Sequence, residues 1–334
     1  MSFLGNLLGY TTPTLKVAMM GPRGAGKTTI LASIFSNAVE DFAPTKLYLR
    51  GKENTPGVAI LIQRKTELTD IFNKKGDIAG VTASNKESTF SFEIGVKGSE
   101  PVVNIDIKDF PGEYLISKKE NVSRFIEESD IILLAIDTAY LMEGDASLNE
   151  EMNKVELVTT FFNNNPGLVQ NKLVLLVPLK CEKFFKEGGI EDVTYKVTQT
   201  YAELLKFFKK SNIACAVTPI QTLGDVVFDN FEENSREVGV SKIAKYKFAN
   251  DTPCYRPMFC VQPLYYLLTY VADYNEWLKT QDSGSWIENL KRKLLNMIMS
   301  NEDFNQEVKG IRRFMLTNSN GYEIIVGNSI WNIS

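Results

Sequence analysis

Residues 21–28 carry side chains whose types and spacing suit phosphate binding. They spell GPRGAGKT and match the pattern GxxxxGK[ST] without a gap. Small residues let such a loop wrap its backbone N–H groups around a β-phosphate, beside the positive end of the next helix. Lys27 would then reach the β- and γ-phosphates, and the Thr28 hydroxyl would ligate Mg²⁺. The predicted nucleotide contacts here are Gly21, Pro22, Arg23, Gly24, Ala25, Gly26, Lys27, Thr28 and Thr29.

A carboxylate and a glycine in the segment PVVNIDIKDFPGE extend this prediction. Asp109 lies just beyond an apolar run, where its carboxylate can hold Mg²⁺ through water. Gly112 follows three residues later, and without a side chain its amide can approach a γ-phosphate closely. An isolated DxxG is often only a turn, but after a phosphate-binding loop it predicts a metal and γ-phosphate site.

The composition is that of a globular chain and excludes several classes of function. The 334 residues are 44% hydrophobic and 23% charged, with a net charge of -4 that offers no attraction to nucleic acid backbones. No run is long enough to cross a bilayer and no leader pattern is visible, so we expect a cytoplasmic protein.

Histidine is absent, which excludes Ser-His-Asp and Cys-His catalysis. The four cysteines lack a close CxxC pair and are predicted to be buried reduced thiols.

The elements that must position these residues alternate along the chain. Apolar runs at 15–20, 88–96, 101–107, 131–137, 173–179 and 212–220 are separated by segments of helical period. This alternation predicts an α/β fold of three layers, a mainly parallel sheet with helices on both faces. We expect one domain over 1–280, with a β insertion at about 221–262. Residues 281–334 are expected to form a small C-terminal appendage of a helix and a β-hairpin.

These motifs together resemble the Ras-like branch of the P-loop NTPases. The order is strand, loop, helix, switch, two strands, DxxG, helix and strand, and it covers about residues 15–220. More narrowly, AVTPIQTLGD and CVQPLYYLLTYV are similar to segments of bacterial double-GTPase domains. That resemblance implies a role in prokaryotic conflict or defence systems.

The resemblance implies a guanine-reading segment at LKCE, where Ras-like proteins have NKxD. Lys180 is present, whereas leucine replaces the asparagine and Glu182 replaces the aspartate. Glu182 would accept hydrogen bonds from guanine, and Thr218 and Ile220 would supply the last base contact. Because Pro219 has no N–H, Ile220 or Gln221 would have to donate. GTP and GDP are favoured over ATP, and a solvated Lys-x-Glu at a strand end remains the alternative.

The resemblance also implies three residues that concern catalysis and metal binding. Glu113 occupies the position of a water-orienting glutamine, and Arg23 could contact the γ-phosphate or only solvent. A switch hydroxyl should complete the Mg²⁺ site, and we choose Thr82 over Ser84 and Thr89. The predicted catalytic set is therefore Lys27, Glu113 and Arg23, and the metal set is Thr28, Thr82 and Asp109.

Three functions fit these residues. The first is a slow Mg²⁺-dependent GTPase that acts as a molecular switch for a protein effector or activating partner. The second is a nucleotide-sensing module that does not hydrolyse, which Glu113 and the missing asparagine favour. The third is an ATPase, which Leu179 in place of that asparagine favours.

Overall fold

The computed structural model describes residues 12–41, 45–76, 78, 87–110, 112–234, 240–279, 294–317 and 323–327. The strands are β1 (Thr14–Met20), β2 (Leu47–Gly51), β3 (Ser88–Val96), β4 (Val103–Asp109), β5 (Ile131–Asp137), β6 (Leu173–Leu179), β7 (Ala214–Val217), β8 (Val226–Glu233), β9 (Lys242–Phe248) and β10 (Glu323–Val326). The helices are α1 (Lys27–Asp41), α2 (Pro56–Lys74), α3 (Tyr114–Ser117), α4 (Lys119–Glu127), α5 (Thr138–Glu143), α6 (Ala146–Asn153), α7 (Val155–Asn164), α8 (Glu182–Glu187), α9 (Ile190–Thr200), α10 (Ala202–Lys210), α11 (Gln262–Lys279) and α12 (Glu302–Thr317). Residues 294–299 are also helical.

Eight strands form one sheet in the order β10-β7-β6-β5-β1-β4-β3-β2. The five strands from β7 to β4 in this order run parallel, whereas β3, β2 and β10 are antiparallel to their neighbours. All residues of β5 and β6 are buried, as expected for strands covered on both faces. The carboxyl ends of the parallel strands therefore meet at one edge of the sheet.

Alternate side chains of β1 enter two hydrophobic cores on opposite faces of the sheet. Val17 packs in a core that includes apolar residues of α1, α11 and α12. Ala18 packs in a core that includes residues of α4, α7 and α10. These two helical layers confirm the predicted three-layer α/β fold.

The structure adds to the predicted elements and shows how the predicted β insertion and C-terminal segment pack. β2 was missed, because LYLRG is short and contains an arginine. β8 and β9 pair as a two-stranded hairpin within the predicted insertion. The C-terminal segment contributes β10 to the main sheet and α12 to the main core, rather than lying only on the surface of the domain. The division of the chain at residue 280 stays a prediction.

Two further properties concern the cysteines and the length of the helices. Cys181, Cys215 and Cys260 are buried and form no disulfide, as expected, but Cys254 is exposed. No described helix is both long enough and apolar enough to pass through a bilayer.

Candidate functional site

The loop between β1 and α1 has a backbone shape that glycine permits. Gly21, Gly24 and Gly26 all have positive φ angles, of 141°, 79° and 104°. A Cβ atom on Gly21 would lie 2.6 Å from the carbonyl oxygen of Ala135 on β5. The loop therefore lies directly against the sheet, and it leads into α1, whose first-turn amides have no intrahelical acceptor. This is the arrangement that an anion site requires.

The Lys27 side chain folds back over this loop. Its Nζ donates to the carbonyl oxygens of Gly21 and Pro22, at 2.9 and 3.1 Å. The same Nζ lies 3.8 Å from Oδ1 of Asp109, and the lysine is only 8% exposed. The ammonium group is thus held at the centre of the loop, where a phosphate would meet it.

The two described residues of the predicted metal set lie next to each other. The Thr28 hydroxyl donates to Oδ2 of Asp109 at 3.3 Å. Neighbouring ligands of an octahedral Mg²⁺ at about 2.1 Å are about 3.0 Å apart, so this pair fits such an ion. Among the described residues, no group hydrogen-bonds to the other carboxylate oxygen, Oδ1, which is buried. Thr82, the third predicted ligand, lies outside the described residues.

The rest of a metal shell would have to come from elsewhere. Within the described part of the chain, no group of three or more acidic or cysteine side chains could hold a metal ion by itself. Mg²⁺ bound by one or two protein ligands is usually completed by water and substrate phosphates. The residues present therefore fit an ion that arrives with a nucleotide.

The charge state of Asp109 responds to its burial. Burial raises the pKa of this carboxyl, against the opposing effects of the Lys27 charge and the Thr28 hydroxyl. A divalent cation would reverse the effect of burial, because it stabilises the ionised form directly.

Gly112 makes the closest approach between the two predicted motifs. A Cβ atom at this position would lie 2.8 Å from the carbonyl oxygen of Gly21 and 3.1 Å from Cα of Pro22. Only a glycine fits here without displacing the loop. The structure therefore brings Gly112, Lys27 and Asp109 together, and their predicted roles toward a phosphate and a metal ion stay predictions.

The two other predicted catalytic residues lie on the surface. Arg23 is exposed in the loop. Glu113 is also exposed, and its side chain does not cap α3, which begins at the next residue. Neither position gives direct evidence for the catalytic roles, which stay predictions.

Lys180 connects the phosphate-binding loop to the end of β5. Its Nζ donates to the Gly24 carbonyl oxygen at 2.9 Å and to Oδ2 of Asp137 at 2.6 Å. Asp137 is completely buried and also accepts a hydrogen bond from the Ala139 amide, which caps α5. The aliphatic part of Lys180 lies beside Gly26. Asp137 was missed by the sequence analysis, although its place at the carboxyl end of a parallel strand was a usable signal.

Glu182 is engaged by the loop that follows β7. Its Oε1 accepts hydrogen bonds from the Thr222 hydroxyl at 3.1 Å and from the Leu223 amide at 2.6 Å. The side chain is buried, and burial raises the pKa of its carboxyl against these hydrogen bonds. Reading a base would require Glu182 to give up these donors.

The other predicted base contacts are likewise engaged. The Ile220 amide donates to the Pro178 carbonyl oxygen at 2.9 Å, and the Gln221 amide to that of Met258 at 3.2 Å. Thr218 is fully buried, and its hydroxyl donates to a side-chain oxygen of Gln262. The groups proposed to recognise guanine thus hold the β6–α8 and β7–β8 connections together in this structure.

Comparisons with known proteins give partial similarities. No protein-family model matches the chain. Elongation factor 3 of Pneumocystis carinii is 30% identical over 139 residues, which are 40% of this chain and 13% of that protein. The S. cerevisiae Ski7 GTPase-like domain aligns with 65% of this chain and 44% of that chain. Its GTP-bound structure gives a TM-score of 0.36 at 13% identity, and its structure with GDP and inorganic phosphate gives 0.35 at 14%. The chain thus spans less than half the length of each match.

Proposed function

We propose that the chain binds a nucleoside triphosphate with Mg²⁺, preferentially GTP, hydrolyses it slowly and acts as a switch for a partner protein. The observation that supports this most is the meeting of Lys27, Thr28, Asp109 and Gly112 around one loop. Each residue has the chemistry for one part of a Mg²⁺-triphosphate: charge for the phosphates, oxygen for the ion and space for the γ-phosphate.

The buried Oδ1 of Asp109 gives this proposal a specific physical basis. A buried oxygen with no hydrogen-bond donor is unfavourable by about 1–3 kcal/mol. A bound Mg²⁺, directly or through a water molecule, would give this oxygen a close partner in addition to the Lys27 ammonium 3.8 Å away. Ligand binding should therefore relieve a cost that the free protein carries.

Slow turnover follows from the exposed positions of Arg23 and Glu113. Hydrolysis needs a positioned water and a cation on the transferring phosphoryl group. Neither side chain is fixed over Lys27 by a contact within the described residues. A partner protein would therefore have to hold the water and the cation in position. The output of the switch would be a change in the segment around Gly112 when the γ-phosphate leaves.

A module that senses nucleotide without hydrolysing it is the second candidate. The exposure of Glu113 favours it, because the residue predicted to orient a catalytic water is then not held in place by its surroundings. An ATPase is the third candidate, since the groups expected to select guanine are engaged within the protein.

Substitution of Lys27 tests nucleotide binding. Lys27→Ala should lose binding of a fluorescent GTP analogue while its circular dichroism spectrum is unchanged. Lys206→Ala is a matched control, because this lysine is on the surface of α10 with its side chain 78% exposed. Binding by Lys27→Ala at the wild-type affinity would place the phosphate site elsewhere.

Two measurements separate the candidates. Thermal stability with GTP, GDP, ATP and ADP, with and without Mg²⁺, reports base preference; a ligand at 100 times its Kd adds about 2.7 kcal/mol. Phosphate release in a single turnover with excess protein reports hydrolysis. Release that depends on Lys27 and Mg²⁺ supports the GTPase, and absence of release supports the sensing module.

We also propose, from the resemblance to bacterial double-GTPase domains, that the switch serves a conflict or defence system. The test is protection of a bacterial host against phage by the intact chain and its loss in the Lys27→Ala variant. Equal protection by both would separate any defence role from nucleotide binding.

A further inference from the structure

The β8–β9 hairpin is attached firmly to the helices beside the phosphate-binding loop. The Tyr140 hydroxyl on α5 donates to the Lys242 carbonyl oxygen at 3.0 Å and accepts from the Ala244 amide at 3.1 Å. The Ser241 amide and hydroxyl both donate to Glu151 on α6, at 2.7 Å. The inner face of β9 is thus fixed at residues 241–244.

An aromatic cluster completes this attachment. The ring of Phe231 on β8 lies 5.1 Å from that of Tyr140 and 4.9 Å from that of Phe228. Phe228 in turn contacts Tyr246 edge to face at 6.3 Å. Successive side chains of a strand alternate between its faces, so Tyr246 lies on the same inner face as Ala244.

This packing places Tyr246 over the segment expected to meet the base. Its ring centroid is 5.1 Å from Nζ of Lys180, the ammonium that also contacts Gly24 in the phosphate-binding loop. The ring is half-buried and its hydroxyl oxygen is buried. No group in the described residues hydrogen-bonds to this hydroxyl, in contrast to the engaged carboxylate of Glu182.

From this arrangement we propose that Tyr246 of the inserted hairpin, rather than Glu182, contacts the nucleotide base. The proposal rests on the nucleotide binding proposed above and names the residue that sets its base selectivity. A base that lies beside the aliphatic part of Lys180 would present its polar edge to the Tyr246 hydroxyl. The buried hydroxyl then gains the hydrogen bond that it lacks in the free protein.

The chemistry of the hydroxyl determines the selectivity. Burial raises the pKa of Tyr246, with the nearby charge of Asp137 acting in the same direction, so the hydroxyl stays protonated at neutral pH. A protonated tyrosine can donate to guanine O6 or adenine N1 and can accept from either exocyclic amine. One such group discriminates weakly, so GTP and ATP affinities should differ by about tenfold or less.

The test compares GTP with inorganic tripolyphosphate, which shares the phosphates but has no base. Tyr246→Phe keeps the ring and removes the hydroxyl, so its GTP affinity should fall by about three- to tenfold while its tripolyphosphate affinity is unchanged. Tyr195→Phe is the matched control, because this tyrosine is 65% exposed on α9. Glu182→Gln keeps an oxygen that accepts from Thr222 and Leu223, so it should leave the ratio of the two affinities unchanged.

The outcomes separate this proposal from the proposed function. Two results together support both proposals. Lys27→Ala should lose binding of GTP and of tripolyphosphate, and Tyr246→Phe should lose affinity for GTP alone. Tripolyphosphate binding that Lys27→Ala does not change refutes the phosphate site itself. An unchanged affinity ratio in Tyr246→Phe, or its collapse in Glu182→Gln, overturns the role of Tyr246 while the phosphate site stands.

Discussion

Position 112 requires glycine because it lies so close to the backbone of the loop between β1 and α1. Gly112→Ala would place a Cβ atom 2.8 Å from the Gly21 carbonyl oxygen, and backbone atoms cannot yield as a flexible side chain can. We expect the loop to shift and triphosphate affinity to fall by about tenfold or more, since a displacement near 1 Å is costly at such sites. Isothermal titration calorimetry measures this.

Gly310→Ala is the control for that change. Gly310 lies on α12, and a Cβ atom there would have nothing within 4 Å. Triphosphate affinity should be unchanged, and alanine in a helix should raise stability by up to about 1 kcal/mol. Equal loss of affinity in both variants would contradict the steric role of Gly112.

Asp109→Asn tests the electrostatic state of the candidate metal site. The folded-state pKa of Asp109 lies above its ordinary value of 3.8, so the folded chain retains this proton to higher pH. This contribution to stability is present below about pH 3.8 and is lost as pH rises through the folded-state pKa. Asparagine is neutral throughout and avoids this loss. At pH 7 without Mg²⁺ or nucleotide, the variant should be more stable by about 1 kcal/mol, or roughly 2 °C.

Differential scanning fluorimetry over a range of pH measures this effect. The same variant should lose the stabilisation that Mg²⁺ adds to the nucleotide-bound protein. A lower stability of Asp109→Asn at pH 7 would mean that the pairing of this carboxylate with Lys27 outweighs its burial.

Residue types predicted which residues meet around the loop between β1 and α1, and they could not predict the partners of the segment expected to meet a base. The glycines, Lys27 and Asp109 follow from local spacing, because one loop and one neighbouring strand end position them. The partners of Glu182 follow from the path of a loop about forty residues later, which no local pattern specifies. A lysine and a glutamate at a strand end are therefore compatible with contacts to a nucleotide base and equally with hydrogen bonds inside the protein.

The hairpin illustrates a similar limit for elements. The sequence analysis predicted a β insertion at about 221–262, and β8 and β9 lie within it. Their docking on α5 depends on Tyr140, which lies in the sequence about one hundred residues before β9 and has no distinctive motif. Local patterns therefore predicted that the insertion is β structure but not which surface it covers.

Tyr140→Phe should loosen the hairpin. The change removes one hydroxyl that bonds to the backbone of β9 at both Lys242 and Ala244, at a cost of about 2 kcal/mol. Hydrogen exchange of β9 amides should accelerate by about tenfold or more, whereas exchange in β5 and β6 should change less. Tyr195→Phe should leave both unchanged, and unaltered exchange in Tyr140→Phe would show that the aromatic cluster alone holds the hairpin.

At the scale of the whole molecule, α12 and β10 join the C-terminal segment to the main sheet and to the core that contains β1 and α1. Phe304 on α12 is fully buried in the same core as β1 and α1. Phe304→Ala should therefore destabilise the entire sheet by about 3–5 kcal/mol, without forming a separately melting unit. Urea unfolding followed by circular dichroism and by intrinsic fluorescence should show one shared, lowered midpoint.

Phe314→Ala on the same helix is the control, because its side chain is 37% exposed. Its cost should be about 1 kcal/mol or less. Two separate transitions would instead support an independent unit beyond residue 280. The sequence analysis predicted one helix and a β-hairpin in this segment, whereas the structure adds α12 at Glu302–Thr317 and pairs β10 with a strand more than one hundred residues away, which local periodicity does not encode.

One exposed cysteine gives the protein a natural site for attaching a fluorescent dye. All four cysteines lie in the described residues, and Cys254 is the exposed one among them. Its backbone amide donates to Asp225, the residue directly before β8, so it lies at the base of the hairpin. A maleimide dye would attach at this single place without engineered cysteines, and its emission would follow any movement of the hairpin as nucleotide binds or leaves.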